Sequence, residues 1–303
     1  MVKPQVKVII NPAAGAYSTR RKWPRINRWL RKVGLLFDQV FTEEMGHAME
    51  LAKAAVSNGY RRIVAVGGDG TVNEVVNGVL ASGASGVAIG VISTGTGSDF
   101  IRSVGIPRDY NDACACLIGQ RSLQIDIGVV EYQSQGQMMR RFFVNAAGVG
   151  FDAAVVAATE RFPKYMGGTI PYLAGLFGCL FSYRNKLVKL RLEDVVEARR
   201  VLAVVVANGG YLGGGMHIAP LAKIDDGLLD VVTIDDIGKF ELLKELPRVY
   251  KGTHLSHPKV SLSRTKHITI ESPETVLVHA DGELLGTCPA SFWLEPVALN
   301  ILV

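Results

Sequence analysis

The stretch that decides the fold of this chain is Val64-Ala65-Val66-Gly67-Gly68-Asp69-Gly70-Thr71-Val72-Asn73-Glu74. Here an apolar run typical of a buried strand ends in a glycine turn that opens a helix. Backbone N–H groups at a helix start attract phosphate oxygens, and residues without a Cβ let phosphates approach closely. Asp69 would repel those phosphates unless a cation, or a proton in transfer, lay between them. The turn therefore predicts a nucleotide bound with Mg²⁺, as phosphoryl transfer requires. The alternative is a simple helix cap by Asp69, which would not need three glycines.

Strands and helices alternate on both sides of this turn. The pattern predicts strands at 6–10, 35–41, 62–66 and 87–92, and helices at 47–57 and 71–81, with a basic helix after the turn at Asn11. Repeated βα units indicate a parallel sheet with helices on both faces, and ligands bind at the carboxyl ends of such strands. We therefore expect three turns, at Asn11, Gly67 and Gly95, to meet at one edge. Asp99, which ends the third turn, offers a second carboxylate to the same nucleotide.

After Asp126 the pattern changes to short runs rich in β-branched and aromatic residues, which predict an antiparallel sheet domain. The predicted strands are 123–132, 141–149, 187–192, 201–207, 228–234, 260–270, 275–279 and 292–303, and the helices are 153–162, 171–181 and 240–250. We expect an α/β domain over 1–125 and a β-sandwich domain over 126–303, whose final strand can return to the first domain. The cleft between the domains is the default ligand site.

Composition limits the class of protein. A formal net charge of +5 over 303 residues, without a nucleic-acid-binding motif, favours an anionic surface or a phosphate ligand over a nucleic acid. The four cysteines have no zinc-like spacing, and the N-terminus lacks a secretory signal, so we expect a cytoplasmic protein. Residues 165–183 are apolar but contain Pro171 and several glycines, so a buried or interfacial helix pair is expected there rather than a membrane span.

Two aspartate-glycine turns in the second domain are open to two interpretations. Asp226 precedes Gly227, and Asp281 precedes Gly282. Aspartate before glycine is a strong hairpin signal, yet paired aspartates are also suitable oxygen ligands for a hard cation. Glu283 follows the second turn and could orient or deprotonate an acceptor hydroxyl if that turn faces the nucleotide.

Taken in order, six motifs resemble the soluble bacterial lipid kinases related to diacylglycerol and sphingosine kinases. They are the two glycine turns, the stretches 145–152 and 208–220, and the segments around Asp226 and Glu283. The resemblance runs nearly end to end. It implies an N-terminal nucleotide-binding α/β domain, a C-terminal β-sandwich, ATP and Mg²⁺ as requirements, and a membrane lipid alcohol as acceptor. Ser98 departs from the family pattern, in which asparagine precedes the aspartate.

The resemblance also assigns roles to individual positions. It places the proposed base on Glu283, and a structural Mg²⁺ on Asp226 and the main-chain oxygens of Lys223 and Leu228. With Asp69, Asp226 would organise the metal for catalysis. The nucleotide contacts fall on Asn11, Pro12, Ala13, Ala14, Gly15, Thr42, Gly68, Asp69, Gly70, Thr71, Val72, Asn73, Glu74 and Thr96, to which the turn geometry adds Gly67 and Asp99.

The acceptor side is less determined. Basic residues crowd residues 20–32 without an acid, so this segment can dock on anionic lipid headgroups or can simply be a solvated helix face. We expect diacylglycerol as substrate, peripheral contact with the inner face of the membrane and no nucleic acid partner; a homodimer is compatible with the sequence. The rival functions are an NAD kinase-like enzyme, in which the Asn-Glu pair comes much later in the chain, and a catalytically silent nucleotide or lipid sensor.

Overall fold

The structure, a computed structural model, describes residues 5–119, 121–159, 169–193 and 195–303, with the side chains of 169–173 left out. Contacts within the chain divide the described residues into two compact units. One comprises the residues up to Ile125 together with Val297–Val303, and the other comprises the residues from Asp126 to Pro296. The C-terminal segment of the chain thus belongs to the first unit.

The first unit is built from parallel βα repeats. Its elements are β1 (Val6–Ile10), α1 (Ala14–Lys32), β2 (Phe37–Phe41), α2 (His47–Ser57), β3 (Arg62–Gly67), α3 (Asp69–Ala81), β4 (Ala88–Ser93), α4 (Asp99–Val104) and α5 (Tyr110–Ile118). The strand order is β4-β3-β1-β2, all parallel, and Asn300 and Ile301 add a further parallel strand beside β4. The turns that follow the carboxyl ends of these parallel strands therefore all lie at one edge of the sheet.

Helix α1 illustrates how the sequence directs this packing. Trp23, Ile26 and Leu30 recur at helical spacing and are buried against Val8 and Ile10 of β1. The basic residues of the helix lie on its exposed side. Its first turn is irregular, because Gly15, Ala16 and Tyr17 have left-handed backbone angles.

The chain from residue 122 onward is mainly antiparallel. Its elements are β5 (Ser122–Ser134), β6 (Gln137–Phe143), β7 (Ala146–Gly150), α6 (Phe151–Thr159), α7 (Thr169–Ser182), β8 (Lys186–Leu192), β9 (Val195–Ala207), β10 (Leu229–Asp235), α8 (Lys239–Lys251), β11 (Val260–Thr265), β12 (His267–Glu271), β13 (Leu277–Ala280) and β14 (Glu283–Leu302). One path of strands runs β11-β10-β9-β7-β13-β14, while β8 and β12 connect β9 with β14 and β5 pairs with β6 and β14. The predicted fold class, an α/β unit followed by an antiparallel sandwich, is confirmed.

Two predicted strands are wrong, because each is two strands with different partners. The predicted strand 141–149 divides into the end of β6, which pairs with β5, and β7, which pairs with β9 and β13. The predicted strand 260–270 divides into β11, which pairs with β10, and β12, which pairs with β8 and β14. Apolar residues stand on both sides of each break, so the apolar pattern does not show that the partner changes.

Two other strands begin well before the predicted residues: β9 begins at Val195 instead of residue 201, and β14 begins at Glu283 instead of residue 292. The remaining differences are smaller or lie in undescribed regions. Helix α3 begins at Asp69 instead of residue 71, and β2 begins at Phe37 instead of residue 35. Residues 160–162 of the predicted helix 153–162, and residues 165–168 of the apolar segment, lie outside the described residues. Within the described ranges, every helix is too short or too polar to cross a membrane.

Two glycines in helices give opposite predictions for the same substitution. A Cβ at Gly78 in α3 would lie 2.1 Å from the Met49 carbonyl oxygen of α2, whereas a Cβ at Gly178 in α7 meets no atom within 4 Å. Gly78→Ala should therefore destabilise the protein by about 1–3 kcal/mol, because the two helices must separate. Gly178→Ala should stabilise it by up to about 1 kcal/mol through helix propensity. Thermal unfolding of both variants tests this; a gain in Tm for Gly78→Ala would contradict it.

Candidate active site

The three glycine turns of the first unit contact one another directly, as predicted. The Asn11 Nδ2 atom donates to Thr71 Oγ1 at 3.0 Å, and the Thr94 backbone N–H donates to the Gly67 carbonyl oxygen at 2.8 Å. A Cβ at Gly95 would lie 2.7 Å from the Cα of Gly68. Glycine is required at this position because two backbones approach closer than any side chain allows.

The loop after β1 is held in its conformation by the side chain of its first residue, Asn11. Asn11 Oδ1 accepts a hydrogen bond from the Ala13 backbone N–H at 3.1 Å. Gly15 has φ +60°, and a Cβ there would lie 2.4 Å from the Thr94 carbonyl oxygen. Pro12 and Ala14 are half-buried, and Ala13 is exposed. Thr42 is held at the same sheet edge, since its N–H donates to the carbonyl oxygen of Ile10 at 2.8 Å.

Asp69 connects two of the turns. Its Oδ1 atom accepts from the backbone N–H of Phe100 in α4 at 3.1 Å. Its own helix α3 has Gly68 at the N-cap position and lacks a side-chain cap. The simple-cap interpretation of Asp69 is therefore wrong. The carboxylate is half-buried, and in the described part of the chain its Oδ2 atom makes no hydrogen bond. That atom is available to a water molecule or a cation.

The third turn is closed by arginines. Arg102 pairs with Asp99 at 2.9 Å and donates to the Gly97 carbonyl oxygen at 2.6 Å. Asp99 is itself buried, so this ion pair orders the turn. Thr96 is exposed, and its carbonyl oxygen accepts from Arg108 Nη2 at 3.4 Å.

The remaining predicted nucleotide residues divide by exposure. Gly70 is exposed, whereas Val72 and Asn73 are buried. The Asn73 side chain accepts from Asn77 Nδ2 at 3.1 Å, and Glu74 Oε2 accepts from the Ala48 backbone N–H at 3.1 Å. These two side chains therefore stabilise α3 and its contact with α2. Their roles in nucleotide binding stay predictions.

In the second unit, Asp281 and Gly282 form the two-residue turn that joins β13 to β14. Both have positive φ, +47° and +80°, as a type I′ hairpin requires. The Asp281 carboxylate accepts from three consecutive backbone N–H groups, those of Val144, Asn145 and Ala146, at 2.7, 2.9 and 3.1 Å. The turn thereby holds the break between β6 and β7 in place.

Glu283, the candidate base, follows this turn. Its Oε2 atom pairs with Arg141 Nη2 at 2.5 Å, and the Glu283 side chain is 44% exposed while that of Arg141 is 16% exposed. In the described part of the chain, Glu283 Oε1 makes no hydrogen bond. The guanidinium therefore orients the carboxylate and leaves one oxygen open to an acceptor. Burial also raises the pKa of neighbouring Tyr132; Arg141 opposes this effect and Glu283 adds to it.

Asp226 belongs to a second cluster of carboxylates in the second unit, together with Asp126 and Asp230. Its Oδ1 atom accepts from the Leu228 backbone N–H at 3.1 Å, and its Oδ2 atom lies 3.7 Å from Arg264. Asp126 supports the same loop, since its carboxylate accepts from the Gly227 N–H at 2.7 Å. Burial raises the pKa of Asp230, although Arg264 opposes this through a hydrogen bond at 3.2 Å.

The side chains of this loop could supply only part of the ligand set of a magnesium ion. Across the described ranges, no three His, Cys, Asp or Glu side chains are grouped as metal ligands. Mg²⁺ commonly keeps several waters and takes one or two carboxylates. Asp226, whose contact with Arg264 is long, can supply one carboxylate beside the main-chain oxygens of Lys223 and Leu228. The buried Asp230 Oδ2 atom has no partner, which also suits a nearby positive charge.

Sequence reasoning missed two partners of these carboxylates. Arg141 could have been suspected, because Arg140 and Arg141 are adjacent on one strand and must point to opposite faces. The second is His279, a buried residue whose Nε2 atom lies 3.1 Å from the Oδ2 atom of the half-buried Asp152. These residues are 127 positions apart, so no local sequence pattern predicts their contact.

Comparison with known proteins identifies the family to which each part of the chain is similar. Residues 5–130 match the family described as Diacylglycerol kinase catalytic domain, and residues 145–303 match the YegS C-terminal NAD kinase beta sandwich-like domain. The fold resembles a crystal structure of a diacylglycerol kinase from Bacillus anthracis str. Sterne, with TM-score 0.72 and 21% identity over 100% of this chain and 98% of that one. Yeast NADH kinase in complex with NADH is more distant, with TM-score 0.53 and 11% identity over 99% and 83%.

These matches define a kinase in which an α/β catalytic unit is combined with a β-sandwich-like unit. The chain is 31% identical to a diacylglycerol kinase of Staphylococcus aureus (strain MRSA252), over 96% of this chain and 90% of the relative. It is 29% identical to that of Staphylococcus carnosus (strain TM300), over 96% and 92%. The chain belongs to the diacylglycerol kinase family.

The structure predicts that the two carboxylates of the second hairpin turn differ in their effect on stability. Asp281→Asn preserves tolerance of positive φ but replaces one acceptor oxygen with a donor, so unfolding should become easier by about 1–3 kcal/mol. Glu283→Gln removes the charge from one half-buried ion pair, but its amide oxygen can still accept from Arg141, so stability should change by only about 0–1 kcal/mol. Urea unfolding of the two variants tests the difference. Equal losses would contradict the assignment of Asp281 as the structural carboxylate.

Proposed function

We propose that this protein transfers the γ-phosphoryl group of ATP to the hydroxyl of a membrane lipid, with diacylglycerol as the acceptor and phosphatidic acid as the product. The observation that supports this most directly is the mutual contact of the glycine turns around Asn11, Gly67 and Gly95. Backbone without side chains, beside a carboxylate, suits a phosphate chain accompanied by a cation.

The first unit would hold the nucleotide. The exposed residues Gly70 and Thr96 lie on the contacting turns, where their N–H groups can meet phosphate oxygens. Asp69 is fixed by Phe100 through one oxygen, which leaves the other available. ATP is the phosphoryl donor that membership of a kinase family implies.

The second unit would activate the acceptor. A lipid hydroxyl beside Glu283 Oε1 would give its proton to that oxygen while the hydroxyl oxygen bonds to the γ-phosphorus. The bond from that phosphorus to the β,γ-bridging oxygen then breaks, and ADP leaves with the electron pair. Arg141 keeps the glutamate oriented during the proton transfer.

Mg²⁺ would neutralise charge on the transferring phosphoryl group. Asp69 would contribute its free oxygen to the ion that accompanies the nucleotide. Asp226, with the main-chain oxygens of Lys223 and Leu228, would hold a structural ion. The oxygen character of these donors suits a hard cation.

An apolar pocket in the second unit supports a lipid acceptor. It lies between α6, α7 and α8, has a volume of 80 Å³, and has Asp152 as its charged lining residue; its apolar lining includes Leu176, Leu180, Met216 and Leu246. Such a volume admits a section of an acyl chain. The Asp152 carboxylate, oriented by His279, would face the polar part of that lipid.

Two glutamates on β14 permit a matched test of the proposed base. Glu283 and Glu295 are 44% and 43% exposed, and each pairs with an arginine of β6, at 2.5 and 3.1 Å. Glu283→Gln should lower kcat by about 100-fold or more, because it removes the proton acceptor. Glu295→Gln should leave kcat unchanged. Phosphorylation of diacylglycerol in mixed detergent micelles with ATP and Mg²⁺ is the measurement; equal activity in both variants would remove Glu283 from the mechanism.

The nucleotide site and the rival functions need separate tests. Asp69→Asn can still accept from the Phe100 N–H, so it should keep the wild-type Tm while turnover falls sharply. ATP consumption should depend on diacylglycerol and not on NAD. ATP consumption with NAD alone would favour the NAD kinase-like alternative, and nucleotide binding without turnover for any acceptor would favour a silent sensor.

A further inference from the structure

An open cavity of 350 Å³ lies in the second unit and shares the lining residues Phe151, Leu180, Leu202 and Leu242 with the apolar pocket described above. It is formed where α7 ends and α8 begins, and its rim carries three cationic side chains, Arg184, Arg200 and Lys239. Its floor is apolar and includes the buried residues Leu202 and Ile237. A cavity with cations around an apolar floor matches a ligand that is both anionic and apolar.

The charge at this rim is unbalanced. Asp236 is the acidic residue that lines the cavity, and its carboxylate already accepts from Asn185 Nδ2 at 2.5 Å. Arg200 donates to the Asn185 carbonyl oxygen at 2.8 Å, and Lys239 donates to the Phe181 carbonyl oxygen at 2.5 Å. These bonds hold the two cations in place without neutralising them. Across the described ranges, Arg184 is exposed and forms no ion pair.

Large aromatic side chains project beside the same rim. Among the described residues, four phenylalanines are more than one-third exposed, and three of them lie on α7 and α8: Phe177 at 49%, Phe181 at 66% and Phe240 at 81%. The bond from Lys239 to the Phe181 carbonyl oxygen ties the two helices together at this point. Exposed apolar residues grouped on one face mark an interaction surface, and phenylalanine beside basic residues is typical of helices that lie in a membrane interface.

We propose that this surface, formed by Phe177, Phe181, Phe240, Arg184, Arg200 and Lys239, docks the protein on an anionic bilayer. The phenylalanine rings would enter the headgroup region, and the cations would contact phosphate groups, with one phospholipid headgroup occupying the cavity. The inference rests on the proposed function, because an enzyme that phosphorylates a membrane lipid must work at that surface. Charge complementarity selects an anionic phospholipid as the occupant.

Flotation of the full-length protein with vesicles tests the proposal. Vesicles of phosphatidylcholine alone and of phosphatidylcholine mixed with phosphatidylglycerol are compared for the wild type, the double variant Phe181→Ser/Phe240→Ser and Arg184→Gln. The double variant should lose about tenfold in partitioning on the mixed vesicles, because two inserted rings are removed. Arg184→Gln should lose about fivefold on mixed vesicles and nothing on phosphatidylcholine, and added salt should remove that difference.

Matched controls come from the same unit. Met138→Ser alters a side chain that is 51% exposed on β6, and Arg191→Gln removes an exposed arginine from β8. Both should bind vesicles as the wild type does. Wild-type partitioning in both surface variants would overturn the proposal. So would loss of binding in Arg25→Gln/Arg28→Gln alone, which would place docking on α1. A dimer in solution that Phe181→Ser/Phe240→Ser dissociates, without vesicle binding by the wild type, would also overturn it.

Activity separates this proposal from the function on which it rests. In detergent micelles the surface variants should phosphorylate diacylglycerol at the wild-type rate, and only activity on vesicles should fall. If the wild type binds anionic vesicles as described but phosphorylates no diacylglycerol, the docking surface stands and the proposed function fails. If micellar activity is normal and the surface variants act on vesicles as the wild type does, the proposed function stands and the docking surface fails.

Discussion

The first unit depends on one steric constraint, the close approach of bare backbone at the carboxyl edge of its parallel sheet. Gly68 and Gly95 come so near that a Cβ on the second would lie 2.7 Å from the Cα of the first, and a Cβ on Gly67 would lie 2.4 Å from Thr71 Oγ1. This close approach allows Asn11 to donate a hydrogen bond to Thr71 and Asp69 to accept one from the Phe100 N–H. The glycines therefore have two roles. They allow the turns to contact one another, and they leave backbone N–H groups accessible to an anionic ligand.

Much of this unit could be predicted because its signals are local. Each strand is followed by its own turn and helix, so the periodicity of apolar residues locates them, and β1 and α2 begin and end at the predicted residues. Parallel topology then forces the turns to one edge without further information. What could not be predicted is which polar side chains the scaffold uses for itself. Asn73 and Glu74 are predicted ligand residues, and their side chains also bond Asn77 and the Ala48 N–H, contacts that the sequence does not show.

The second unit was less predictable because its organisation is non-local. The break between β6 and β7 is fixed by Asp281, which accepts from the Val144 N–H 137 positions earlier in the chain. A run of apolar residues reports burial, but it does not report which strand lies alongside. The orientation of Glu283 by Arg141 and of Asp152 by His279 likewise depends on strand pairing. Sequence reasoning can thus find candidate carboxylates here, but their partners require the folded structure.

The partners explain why adjacent carboxylates suit different tasks. Protonation of Asp281 would sacrifice charge-assisted bonds from three backbone N–H groups, so this residue is suited to holding the turn. Glu283, two residues later, has one guanidinium partner and an open oxygen, and it can take up a proton without releasing the backbone. The division follows from the hairpin itself, which turns Asp281 toward the strand break and starts β14 with Glu283. In the proposed mechanism, the carboxylate that holds the turn thus lies two residues from the carboxylate that would accept the proton, so the scaffold would keep its shape while charge moves.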